Sequence, residues 1–550
     1  MFATTLTVLA LVLAGVGQAL VIDQESLSGD AGDQPTPWPV PQMMSCKSAL
    51  APLSAASLQF KASIQCDLIE KATARCKKWI FLNGKEEVET TKRLQLRKNT
   101  FKLLEIRVQS GVCDRLPYFG MDESYELEMF GNGSGVIRAP SVWGALRGLD
   151  TFSQLVAYPK EKEHAIRECV ISDRPRFPHR GLMLDTSRHF LPVGAILETL
   201  DLMSQSKYNV FHWHLVDDNS FPFQSEVFPD LSAKGAFSSK HVYTPTDVRN
   251  IVEFARLRGI RVIPEFDTPG HTMSWGKGQK GLLTQCYKDG RYTGEDALID
   301  PSKGSSYDFL VGFFREVLSV FPDEYVHLGG DEAAFWFHCW AHNPQIQQFM
   351  ALWGLGNNTV ALENLYFHRL MNVVMKKASE RRRTGYIVWQ EVLDNEFEDE
   401  SMIAHVWKGG SKSERSKELA MVTGRGHKAL LSSCWYLNYI SYGTDWHAFY
   451  ECDPQDFNGT DWQKRLVLGG ETCMWGEYVD ATNLTPRLWP RASVVAEKLW
   501  SDSRHTASAD EAAPRLEQHR CLLVRRGFRA EPGSGPSFCP VEIAYPYPTD

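Results

Sequence analysis

From Arg180 onward short apolar runs recur along the chain, each ending in polar or aromatic residues. They are Gly181–Asp185, Asn209–His214, Arg261–Glu265, Tyr325–Leu328, Tyr386–Trp389, Ile403–Trp407, Ala429–Ser432 and Leu466–Gly469. Runs this short, without a polar face, read as strands buried on both sides of a parallel sheet. Segments between them carry apolar residues at helical spacing. Ile196, Leu197, Leu200 and Met203 form one such face, and Leu310, Phe313, Phe314 and Val317 another. Val248, Ile251, Val252 and Ala255 form a third, with Gly259 as a stop. Eight strand–helix alternations predict a (β/α)8 TIM barrel with insertions. An open doubly wound sheet is the competing arrangement, but no glycine-rich phosphate loop follows the first run, which argues against a dinucleotide site.

Upstream the texture differs. Leu103–Val108 and Tyr125–Met129 alternate like half-buried strands, and Val142 opens a helix that continues to Leu155. The fold class expected is therefore α/β: a barrel over residues 173–550, preceded by a smaller α+β domain over residues 20–172. The boundary falls at Asp173-Arg-Pro-Arg-Phe-Pro178, where two prolines prevent regular helix. Residues 1–19 read as a signal peptide, with an apolar run from Leu6 to Val16 and small residues at Gly17 and Ala19. That run is too short to span a bilayer, and no second long one exists, so no membrane span is expected.

Composition narrows the picture. The 550 residues are 43% hydrophobic and 23% charged, as in a soluble globular protein. The net charge of −8 is mild, and no basic block points to nucleic acid. Twelve cysteines without a CxxC suit an oxidising compartment better than zinc or thioredoxin chemistry. Sequons at Asn132, Asn357, Asn458 and Asn483 agree, the last weakened by Pro486. No cofactor is expected.

In a TIM barrel the active site lies at the C-terminal ends of the strands. The residues there are Asp185 to Arg188, Asp217 and Asp218, Asp267 to His271, Asp331 and Glu332, Trp389 to Glu391, Trp407, Trp435 to Asn438, and Glu471 to Glu477. Carboxylates, an Arg and several Trp suit a sugar, whose apolar faces stack on indole and whose hydroxyls take charged partners. A metal site built from His212, His214, Asp217, Asp218 and His271 is the competing reading. His212 and His214 also read simply as buried, hydrogen-bonded strand residues. In His327-Leu-Gly-Gly-Asp-Glu332, two glycines let a ligand approach the backbone. Adjacent acids can hardly straddle a scissile bond as an ordinary retaining pair does, about 5 Å apart. They better fit one acid at the leaving oxygen and one holding another part of the sugar.

Five motifs together carry a family resemblance: Asp185-Thr-Ser-Arg-His189, Phe211-His-Trp-His-Leu-Val-Asp-Asp218, Glu265-Phe-Asp-Thr-Pro-Gly-His271, His327-Leu-Gly-Gly-Asp-Glu332 and Cys473-Met-Trp-Gly-Glu477. The chain resembles the β-N-acetylhexosaminidases of glycoside hydrolase family 20, of the animal lysosomal type. The resemblance implies hydrolysis of terminal β-linked GlcNAc or GalNAc from a glycoconjugate or oligosaccharide, with retention, by substrate-assisted catalysis. It implies that Glu332 is general acid and then base, and that Asp331 orients the 2-acetamido group whose oxygen attacks the anomeric carbon. Tyr436 would donate to that oxygen. Trp389, Trp407 and Trp475 would box in the sugar, and Arg188, Asn438 and Glu477 would hold it. His271, oriented by Asp217, would contact Glu332 and help set its pKa, which a mostly acidic, Trp-walled pocket would raise. A lysosomal or secreted homo- or heterodimer follows, with Tyr442 completing the partner's site, as do disulfides Cys66–Cys113, Cys286–Cys339 and Cys521–Cys539. The other six cysteines stay unassigned.

The chain departs from the family at Asn438-Tyr439. The subunit type that accepts sulfated substrates has Asn-Arg there, and the neutral-only type Asp-Leu. The loop Tyr287-Lys-Asp-Gly-Arg291 lacks the ganglioside-activator contact motif. Two alternatives stay open: a catalytically silent sugar-binding protein, and a secreted processor of chitin oligomers.

Overall fold

The computed structural model describes residues 36–81, 100–160, 163–379 and 385–541. The expected signal peptide lies outside them. Eight parallel strands close a barrel: β8 (His179–Asp185), β9 (Val210–Val216), β10 (Arg261–Phe266), β13 (Tyr325–His327), β14 (Gly385–Trp389), β15 (Met402–Val406), β16 (Lys428–Leu431) and β17 (Val467–Met474). They pair in chain order, and β17 returns to β8 with Gly469 opposite His179. All eight overlap the apolar runs, because barrel strands are buried on both faces, although β17 continues past Leu466–Gly469 to Met474. An antiparallel hairpin, β11 (Leu283–Lys288) and β12 (Arg291–Ile299), is inserted between β10 and β13.

The helical faces also form as the spacing predicts. In the helix Val193–Gln205, Ile196, Leu200 and Met203 are buried. In Pro245–Arg256, Val248, Ile251 and Ala255 are buried, Thr244 and Asp247 form a capping box, and Gly259 takes φ +65° just beyond the end.

The N-terminal strands form a seven-stranded mixed sheet. They are β1 (Met43–Leu53), β2 (Gln59–Ala62), β3 (Leu103–Val108), β4 (Tyr125–Phe130), β5 (Ser134–Ala139), β6 (Ala157–Lys160) and β7 (Glu163–Asp173). Their order is β1-β7-β4-β5-β3-β2, with β6 on β7. The helix Val142–Gln154 is capped by Ser141, whose hydroxyl accepts from the N–H of Trp143 and Gly144. Arg147 of this helix and Arg180 of β8 share the buried carboxylate of Glu123, which joins the sheet layer to the barrel.

The three implied disulfides are present, and two more, Cys46–Cys169 and Cys434–Cys452, join four of the unassigned cysteines. Cys76 and Cys473 are buried free thiols. Among the described residues no helix is long and apolar enough to cross a membrane.

Candidate active site

Strand β8 ends on Asp185, and that carboxylate organises the turn after it. Its Oδ1 accepts the N–H groups of Ser187 (2.9 Å) and Arg188 (3.1 Å). Its Oδ2 accepts the N–H of Gly476 (2.9 Å) and Nη1 of Arg188 (3.1 Å). Arg188 is thereby aimed across the barrel mouth. Its Nη2 lies 2.7 Å from Asp217 Oδ2, and its guanidinium sits 4.9 Å from the Trp475 ring centre. Burial works against this cation, but Asp185, Asp217 and Glu477 outweigh it and raise its pKa.

Strand β13 has three residues, after which the chain turns sharply through Gly329 (φ +71°) and Gly330 (φ +103°). Packing dictates both glycines. A Cβ on Gly329 would lie 1.7 Å from Asp267 Oδ1, and one on Gly330 would lie 2.4 Å from Val392 Cγ2. The reading that they admit a ligand is corrected here: they admit Asp267 and Val392. Gly330 N–H donates to Asp267 Oδ1 at 2.8 Å. The turn delivers two adjacent acids into different surroundings. Asp331 is buried, whereas the Glu332 side chain, on a residue at φ +54°, is 38% exposed.

Asp267 Oδ2 and Asp331 Oδ1 are both buried without a conventional donor. Burial, then the charge of Asp331, pushes the Asp267 carboxyl well above its ordinary range. A protonated Asp267 donating to Asp331 satisfies both oxygens, and two facing carboxylates cannot both ionise cheaply.

His271, also at positive φ (+54°), connects the acids to Asp217. Its Nδ1 is 3.2 Å from Asp217 Oδ1, and its Nε2 is 3.6 Å from Glu332 Oε2 and 3.8 Å from Asp331 Oδ2. Burial disfavours the imidazolium, but Asp217 and Asp331 hold its pKa well above the usual value. The imidazole of His271, 3.6 Å away, in turn keeps Glu332 below the usual carboxylate range, despite partial burial. The pocket was expected to raise Glu332. The imidazolium beside it reverses that sign.

The aromatic wall is built from four strand ends. Trp389 is buried, donates Nε1–H to Glu265 Oε1 (2.7 Å) and stacks on His405 at 4.2 Å. Trp407 donates to Glu391 Oε2 (2.7 Å). Tyr436 lies 6.3 Å from both Trp407 and Trp475, and Trp475 lies 5.9 Å from Trp389. Burial raises the Tyr436 phenol well above its usual pKa, so it stays a donor. Asn438 is half-buried with an unpartnered Oδ1. Glu477 stands exposed at the rim, and Tyr442 is fully exposed, outside this cluster.

Beneath the acids lies a buried polar layer of His179, His212, Glu265, His327, His405 and Glu471; the sequence reading placed Glu471 at a strand end and His212 in the competing metal set, and gave the other four no role in the site. The signal was the alternation within the strands, which turns His212 and His214 to the same side. His212, His327 and His405 bring ring nitrogens within 4.8 Å of one another, the spacing of a metal cluster. Both nitrogens of His212 face carboxylates, however, at 2.7 Å (Glu471) and 3.0 Å (Glu265). That is the setting of an imidazolium, and its pKa is raised to about 9 against the burial cost.

Residues 177–503 match the family model described as glycosyl hydrolase family 20, catalytic domain. The chain belongs to glycosyl hydrolase family 20. Residues 37–155 match a second model, beta-acetyl hexosaminidase like. The chain is 47% identical to mouse beta-hexosaminidase subunit beta over 94% of its own length and 95% of that protein. It is 44% identical to bovine beta-hexosaminidase subunit alpha, covering 93% of this chain and 96% of the relative. Among solved structures, Flavobacterium johnsoniae chitobiase superposes with a TM-score of 0.75 at 30% identity, over 89% of this chain and 72% of that one. This protein is a glycoside hydrolase of the β-N-acetylhexosaminidase kind, and its substrates are glycoconjugates.

Proposed function

We propose that Asp331 and Glu332 divide one retaining hydrolysis between them. The supporting observation is their contrast: Asp331 is buried against Asp267, while Glu332 is open to the pocket and faces His271. Asp331 receives the N–H of the sugar's 2-acetamido group, and Tyr436 donates its hydroxyl to the acetamido oxygen. That oxygen attacks the anomeric carbon as Glu332 protonates the departing glycosidic oxygen. Glu332, now a carboxylate, then takes a proton from the water that opens the oxazolinium ring. Two displacements leave the anomeric configuration retained. Arg188, Asn438 and Glu477 hold hydroxyls, and Trp389, Trp407 and Trp475 enclose the ring and the acetyl methyl. Asp217 and His271 set the state of Glu332.

The same reading makes Tyr442 a residue for the partner's site in a homo- or heterodimer, in keeping with its full exposure. Five disulfides fit a lysosomal or secreted protein whose residues 1–19 are removed as a signal peptide. The α+β domain then spans residues 20–172 and the catalytic barrel residues 173–550.

A thiazoline mimic of the cyclised intermediate tests the assignment, because it resembles the intermediate more than the substrate. It should inhibit far more tightly than N-acetylglucosamine, and Asp331→Asn should abolish the difference. Trapping a covalent glycosyl ester on Asp331 or Glu332 contradicts the assignment.

A further inference from the structure

A ladder of alternating imidazoles and carboxylates runs from deep in the barrel to Glu332. His179 Nε2 lies 2.7 Å from Glu471 Oε1, and Glu471 Oε2 lies 2.7 Å from His212 Nδ1. His212 Nε2 is 3.0 Å from Glu265 Oε2, which is 2.6 Å from His214 Nδ1. His214 Nε2 is 3.0 Å from Asp217 Oδ2. Asp217 and His271 then complete the path to Glu332. The links cross from β8 to β17, β9 and β10, so closure of the barrel assembles them. The layer on the other side of His212 is apolar, formed by Val210, Ile263, Ile387, Ile403, Leu430 and Leu468. Burying this many charges is costly before pairing, and apolar residues of similar size would pack there without that cost.

We infer that the ladder is a positioning relay for the acid: Glu265 holds His214 as a cation against Asp217, and this shifts the proton shared by His271 and Glu332 toward Glu332. The inference rests on the reading of Glu332 as the general acid. Asp217 divides one negative charge among Arg188, His214 and His271. The more of it His214 takes, the less remains to retain the proton on His271. The charged groups facing His214 are Glu265 from β10, Asp185 from β8, Arg188 from the following turn, and Asp217. Those facing Glu265 are His212 and His214 from β9 and His327 from β13, with the Trp389 indole from β14. Those facing His271 are Asp217, Asp331 and Glu332, with Asp218 and Asp267 beside it.

From Glu471 to His214 the titration directions agree with this alternation, whereas His179 at the deep end is lowered by burial. His212 and His214 are raised to about 9 and about 10, each against the cost of burial, and Glu265 and Glu471 are held well below the carboxylate range by their imidazoles. His327 and His405 are lowered by burial and stay neutral. In the acid step one proton leaves His271 Nε2 for Glu332 Oε2 and passes on to the glycosidic oxygen. That oxygen keeps the electron pair of its broken bond to the anomeric carbon. His271 ends neutral, still donating Nδ1–H to Asp217.

Glu265→Gln tests the relay in the full-length protein. The amide keeps an acceptor for Trp389 and offers N–H to a neutral His214, so shape is held while charge is lost. The substrates are phenyl β-N-acetylglucosaminide, which needs the acid, and its 2,4-dinitrophenyl counterpart, which does not. The relay requires the kcat loss on the phenyl substrate to exceed that on the dinitrophenyl substrate by about tenfold, a part of the roughly 10²–10⁴-fold that general acid catalysis supplies. It also requires the alkaline limb of kcat to move to higher pH. Equal losses on both substrates with an unmoved limb mean a merely structural role and overturn the relay. If the variant does not fold, ¹⁵N-histidine NMR of the unmodified protein decides instead. His214 doubly protonated across pH 5 to 8 supports the relay, and a singly protonated ring overturns it. Glu332→Gln separates the two readings. If it hydrolyses the phenyl substrate normally, the acid assignment fails. If it is inactive while Glu265→Gln keeps both the leaving-group ratio and the limb, the relay alone fails.

Discussion

The imidazole of His271 meets the carboxylate of Glu332 across 3.6 Å, Nε2 to Oε2, while its other nitrogen faces Asp217. With His271 charged and Glu332 held low, the pair carries one proton between its two sites. That proton is lost only at the raised pKa of the imidazole. In His271→Gln the acid has to hold its proton alone. The alkaline limb of kcat/KM should then move down toward the carboxylate range, and kcat should fall by roughly 10²-fold. A pH–rate profile measures both, and an unmoved limb would show that His271 does not govern the acid.

The buried imidazolium ions also bear on stability. His212 and His214 have folded-state pKa values of about 9 and about 10, above the unfolded value of about 6.5. Their contribution is fully present below pH ~6.5 and is lost as pH rises through 9 and 10. The melting temperature should therefore fall steadily between pH 7 and 10. In Glu265→Gln, where His214 has lost its anion, that decline should be shallower. Calorimetric scans at several pH values check this, and a flat Tm across the window would count against charged His212 and His214.

Much of this architecture is legible in the sequence, for a physical reason. A parallel barrel strand is buried on both faces, so Gly181–Asp185 or Ile403–Trp407 stands out as an apolar run. Strand β1 does not, because most of Met43–Leu53 is exposed and no alternation marks it. The hairpin arm Arg291–Ile299 is hidden in the same way. The strand ends could be read as a site because acids and indoles gather there. Three features could not be read. The glycines at 329 and 330 are fixed by Asp267 and Val392, partners distant in sequence. The downward shift of Glu332 depends on where His271 points. The ladder needs residues from four strands, and its links, such as His179 to Glu471 and His214 to Glu265, join partners distant in sequence.

Charge recognition at the sugar's 6-position is the substrate feature most open to engineering. Tyr439 occupies the place where sulfate-accepting relatives carry Arg by the resemblance drawn above. It is 71% exposed and stacks on Tyr436 with ring centres 6.3 Å apart. Its hydroxyl offers one neutral hydrogen bond, worth about 0.5–1.5 kcal/mol net. A guanidinium offers a charged fork. Tyr439→Arg should raise the sulfated-to-neutral ratio of kcat/KM by about tenfold, or ~1.4 kcal/mol at the transition state. Parallel assays on 6-sulfated and unsulfated aryl β-N-acetylglucosaminide measure it. Equal cleavage of both by the unmodified protein would place the sulfate against another cation.

The central claim is that the substrate's own acetamido oxygen is the nucleophile, held by Asp331 and Tyr436. Its most direct test is kcat/KM for aryl glycosides whose 2-acyl group carries none, one, two or three fluorines. Fluorine withdraws electrons from the carbonyl oxygen with little change in its position. If that oxygen attacks the anomeric carbon, the rate should fall steeply with each fluorine, by several orders of magnitude across the series. If an enzyme carboxylate attacks instead, the rates should stay nearly level, and that result would contradict the roles given to Asp331 and Tyr436.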